Sequence, residues 1–116
     1  MKRAALLAAS LLAITPAALA GVGPGVGVSL IRPAHQGRAI VNVSNPGKGR
    51  GTYTIDLLTS DGEVIPAITT PAVVRVSRGR SRKVRIQNIT PDTTQLCASV
   101  FATSSLRLRS CVRPQQ

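Results

Sequence analysis

From Val26 onward, apolar and polar residues alternate with a period of two. Ala39, Val41 and Val43 alternate with Ile40, Asn42 and Ser44, and Tyr53, Ile55 and Leu57 alternate with Thr52, Thr54 and Asp56. Val74 and Val76 flank Arg75, and Val84 and Ile86 interleave with Lys83 and Arg85. This pattern predicts half-buried β-strands. Between the runs stand Ser44-Asn45-Pro46-Gly47, Ser60-Asp61-Gly62, Ser77-Arg78-Gly79 and Thr90-Pro91-Asp92, each rich in residues that suit tight turns or positive φ. No stretch after Ala20 carries an apolar stripe at helical spacing over more than two turns. The predicted strands are Val26–Ile31, Arg38–Ser44, Gly51–Thr59, Val64–Ile68, Ala72–Val76, Arg82–Asn88, Leu96–Thr103 and Leu106–Val112. Seven or eight short strands at such spacing predict an all-β antiparallel β-sandwich, with a closed barrel as the alternative.

The last two strands predict a hairpin with its tip at Thr103-Ser104-Ser105. In that register Cys97 lies opposite Cys111, and Leu96, Ala98, Val100 and Ala102 share the core side with Leu106, Leu108, Ser110 and Val112. Cys97, Ser99 and Phe101 then share the outer side with Arg107, Arg109 and Cys111. The expected Cys97–Cys111 disulfide is a cross-strand staple closing a loop of about 15 residues, worth roughly 3 kcal/mol in the chain-entropy model. Phe101, beside two arginines, is either cover for a guanidinium stem or a partner contact.

Composition and charge place this domain. Met1-Lys2-Arg3 is positive, Ala4 to Ile14 is uncharged and apolar, Pro16 breaks the run, and Ala18-Leu19-Ala20 is a small-x-small cleavage site. Residues 1–20 are therefore expected to be a secretory signal. The apolar run is about half of the roughly 20 residues a membrane span needs, and no second one follows. An even pair of cysteines suits the oxidising compartment this implies. Residues 21–25 open the Gly-Val-rich stretch Gly21 to Val28 and are expected to be a flexible tail, leaving residues 26–114 as one domain.

Without residues 1–20 the chain carries 13 Lys and Arg against Asp56, Asp61, Glu63 and Asp92. Such a surface attracts acidic partners of any kind, whether nucleic acid, lipopolysaccharide phosphates or acidic protein. Tyr53 and Phe101 are the only aromatics, which argues against a nucleic-acid binder built on base stacking, as export does.

Several segments resemble the N-terminal domain of the periplasmic pilus-assembly chaperones, an immunoglobulin-like sandwich of the PapD type. Val28-Ser29-Leu30-Ile31-Arg32-Pro33 is similar to that family's first strand, and Ala39 to Gly47 to its second strand and Asn-Pro-Gly turn. Thr70 to Gly79 resembles its proline-led segment ending in a glycine turn, Ser81 to Ile86 its following strand, and Val112-Arg113-Pro114 the end of its domain. The resemblance implies a periplasmic protein that binds a pilin-like subunit, adding a strand to it and holding its C-terminal carboxylate with a basic pair. Counting back from Arg113-Pro114, the last-strand cation falls on Arg109; the first-strand arginine falls on Arg32, or Ala34 takes its place. The expected partner-binding residues are Arg109, Arg32, Arg107 and Phe101. Two residues follow Pro114, so the family's second domain is missing from this reading, and a partner chain is the alternative source of it.

Enzymatic chemistry is not expected. Four scattered acids, the single histidine His35 and two paired cysteines make no triad, carboxylate pair or metal site, and no cofactor is implied. Two other functions compete with chaperone-like protein binding. One is a structural subunit of a surface fibre, with the Gly-Val segment inserted into a neighbour. The other is a cationic polyanion-binding surface using Arg75, Arg78, Arg80, Arg82, Lys83 and Arg85, although Val84 and Ile86 point away from Lys83 and Arg85 and break any continuous patch.

Overall fold

A computed structural model describes residues 23–115. The expected signal, residues 1–20, lies outside them. Nine strands form: β1 (Gly27–His35), β2 (Arg38–Ser44), β3 (Gly51–Thr59), β4 (Val64–Pro66), β5 (Thr69–Thr70), β6 (Val74–Val76), β7 (Ser81–Ile86), β8 (Thr93–Phe101) and β9 (Arg107–Val112). One antiparallel sheet has the order β1-β2-β7-β5, and the other has β4-β3-β8-β9, with β6 also pairing β3. This is the strand order of an immunoglobulin sandwich, ABED against CFG, with β4 as an added strand beside β3. The sheets stay open and form no barrel. Alternation places the core between them: Val41, Val43, Val84 and Ile86 from one sheet meet Tyr53, Ile55, Leu57, Leu96 and Ala98 from the other.

Several strand expectations are corrected. The first strand runs to His35, beyond Ile31, because two bulges break its alternation, one between Leu30 and Arg32 and one between Arg32 and His35. Each bulge adds a residue to one strand and turns the following side chains, so the period of two is lost while pairing continues. Val64–Ile68 and Ala72–Val76 become three strands, because the segment changes sheets: Thr69 and Thr70 pair β7, whereas Val74 to Val76 pair β3. The eighth strand starts at Thr93, ahead of Leu96.

The tail expectation is also corrected for its described part. Gly23, Pro24 and Gly25 are buried. Asn45, fully buried, accepts hydrogen bonds at Oδ1 from the Gly25 and Gly47 amides (2.9 and 3.0 Å) and donates from Nδ2 to the Gly49 and Val76 carbonyls (2.7 and 3.0 Å). Its own N–H donates to Arg80 O and its carbonyl accepts from Gly79 N. Every polar group of Asn45 is thereby satisfied inside the fold, which a buried amide requires. The Tyr53 hydroxyl donates to Gly25 O, and Lys48 N donates to Gly23 O. A Cβ on Gly47 would run into the Gly23 carbonyl oxygen, so the two backbones pack this closely only because position 47 is glycine.

Candidate functional site

The β8–β9 ladder has the expected register, with Leu96 opposite Val112, Cys97 opposite Cys111, Ser99 opposite Arg109 and Phe101 opposite Arg107. Cys97 and Cys111 are bridged, their Cα atoms 4.1 Å apart. The outer side of β8 is nevertheless covered. Cys97 is 0% and Ser99 2% exposed. Arg107 starts opposite Phe101, yet its guanidinium lies 3.8 Å from Asp56, which pairs with Cys97. The side chain must therefore cross the intervening row that holds Ser99. Its Cζ also stands 5.9 Å from the centroid of the Phe101 ring, a cation–π contact. Arg107 and Phe101 are thus engaged with each other, although Phe101 remains 60% exposed. Ser99 Oγ is buried without a hydrogen-bond partner.

Arg109 is exposed, on the outer side of β9 and two residues before the bridged Cys111. No ion pair involves it among the described residues. β9 ends its sheet, and β1 ends the other. The two edges run side by side in the same direction without a ladder. They are tied by two hydrogen bonds, Val28 N to Ser110 Oγ at 3.2 Å and Ala34 N to Pro114 O at 2.8 Å. Arg109 stands one residue before the first tie at Ser110, and Arg32 two residues before the second at Ala34. Arg32 belongs to the first sheet, opposite Ile40, and Arg109 to the second, opposite Ser99. Ala34 is committed to the seam.

Arg32 instead lines a concavity on the outer face of the first sheet, together with His35, Arg38 and Arg85. The alternation that puts Val41 and Val84 in the core puts Ile40 and Arg85 on this face, and Arg32 pairs with Ile40 there. His35 closes the β1–β2 hairpin opposite Arg38, and the turn between them, Gln36 and Gly37, has φ of 53° and 78°. That is the positive-φ pattern of a two-residue hairpin turn matched to strand twist. The period of two in β2 and β7 already assigned these side chains a face; it did not show that β1 brings Arg32 beside them.

The other expected cations separate. Arg75 pairs with Thr52 on the second sheet, Arg78 and Arg80 sit in the turn before β7, and Lys83 and Arg85 lie on the first sheet's outer face. Among the described residues, no group of three or more His, Cys, Asp or Glu side chains is placed to hold a metal ion, and no helix is long and apolar enough to cross a membrane. No known family model matches the chain, and no curated protein matches it.

Proposed function

We propose that this is an exported, non-enzymatic immunoglobulin-like domain that binds an extended protein segment ending in a free carboxylate, in the manner of a periplasmic pilus-assembly chaperone. The observation that carries the reading is the edge strand β9, laddered on one side by β8 and only loosely tied to β1 on the other. Unpaired backbone on such a strand recruits an added strand. Arg109 stands outward on it, free of any ion pair among the described residues, and its planar fork suits a carboxylate. The fibre-subunit reading is less favoured, because Gly23 to Gly25 are already bound within their own domain.

The test is titration of a peptide ending in a free carboxylate against Arg109→Ala and Arg78→Ala. Loss of Arg109 is expected to weaken binding by about 1.5 to 3 kcal/mol, the worth of a charge-assisted hydrogen bond. The turn cation Arg78, of equal charge, is expected to cost far less. Equal losses that vanish together in moderate salt overturn the anchor.

A further inference from the structure

We infer that the concavity around Ile40 binds a small multivalent oxyanion of the phosphate type. This goes beyond the β9 reading and uses a different face of the molecule. Arg32, Ile40 and Arg85 are successive partners across β1, β2 and β7, so all three point outward in one row. Two strand spacings set the Cα atoms of Arg32 and Arg85 roughly 10 Å apart. Arg38, two residues from Ile40 on β2, shares its face and approaches from a third side. Half-buried Ile40 thereby stands among three arginines that line the same concavity. His35, paired with Arg38, completes the rim.

The cavity measures about 520 Å3, within the range of small-ligand sites. Its frame is held in place, since Ile89 N donates to Gly37 O at the hairpin tip (2.9 Å) and β7 is paired on both sides. The charge is uncompensated. All four Asp and Glu residues of the chain lie on β3, in the turn after it or just before β8, and none is on the first sheet. Among the described residues Arg32, Arg38 and Arg85 have no ion-pair partner.

Three permanent cations spaced near one Debye length repel one another, and a single carboxylate offsets only one of them. Tetrahedral oxyanions carry several acceptor oxygens and more than one charge, and guanidinium forks bind them bidentately. The same chemistry is presented by a free diphosphate and by a phosphomonoester lipid headgroup.

Pyrophosphate, inorganic phosphate and acetate are to be titrated at fixed ionic strength, followed by calorimetry and backbone amide shifts. Pyrophosphate is expected to bind one to one, at least tenfold more tightly than acetate, with the largest shifts at Ile40 and its neighbours. Arg38→Ala and Arg85→Ala are each expected to weaken it about tenfold or more, the effect of losing a charge-assisted hydrogen bond. Arg78→Ala should change it less than twofold. Arg109→Ala should leave it unchanged, so failure of the carboxylate anchor on β9 does not touch this result. Equal losses for Arg38, Arg85 and Arg78 variants, or pyrophosphate binding no tighter than acetate, overturn the site. Phosphatidic acid vesicles separate the two sources: pyrophosphate-reversible sedimentation supports a headgroup, and its absence beside intact pyrophosphate binding supports a free ligand.

Discussion

Tyr53 shows how one side chain links the ends of the fold. It is 3% exposed and its hydroxyl donates to Gly25 O, so the residue holds the start of the domain onto the core. Burial pushes its phenol up from 10.0 to about 12. Between those values the folded chain keeps a proton that the unfolded chain has lost. The stabilisation is therefore complete below about pH 10 and is lost as pH rises towards 12, by about 2 to 3 kcal/mol in all. Tyr53 is the only tyrosine, so phenolate absorbance reports it alone. We expect a midpoint near pH 12 in the folded protein and near 10 in urea; a folded midpoint near 10 would mean that the ring is not enclosed. Arg107 makes the complementary point, because a surface cation on a hairpin is held across its own sheet when Asp56 and Phe101 supply its two contacts.

At the scale of the element, the β8–β9 hairpin is the most self-contained unit. Its disulfide joins residues directly opposite in the ladder, 14 apart in sequence. Replacing Cys97 and Cys111 together by Ala is expected to lower unfolding free energy by about 2 to 5 kcal/mol, read from urea denaturation. A shift near zero would show that the β3–β8 pairing holds the hairpin without help. β1 is the opposite case. Two bulges and Pro33 suit it to an edge, where missing donors and broken alternation are tolerated, and its far side meets β9 through only two hydrogen bonds.

Across the whole molecule, the division into a firm centre and an open seam sets where the structure loosens. Amides of β3 and β8, paired on both sides, should exchange with solvent most slowly, and those at Ile31 and Arg32 among the fastest of any strand residues. Hydrogen exchange read by mass spectrometry checks this, and equal protection of β1 and β3 would mean that the seam is closed. Charge is divided as well: acids sit on the five-stranded side, and the four-stranded sheet carries cations alone. The molecule therefore presents two unlike surfaces, the edge strand β9 and a cationic outer face on the four-stranded sheet.

The sequence by itself determined the fold class, the bounds of β2 and β3, the core side of each regular strand and the Cys97–Cys111 register. All of these follow from alternation along one strand or from a short hairpin, and both are local. Alternation states which side of its own strand a residue occupies, but not what lies across from it. Tertiary structure alone decided that Asn45 and Tyr53 fasten Gly25, that Thr69 to Val76 cross between sheets, and that Arg107 reaches Asp56. It also decided that Arg32 joins Arg38 and Arg85 around Ile40, because the bulges in β1 break the alternation that would assign Arg32 a face, and β2 meets β7 through pairing of segments far separated along the chain, which no local period records.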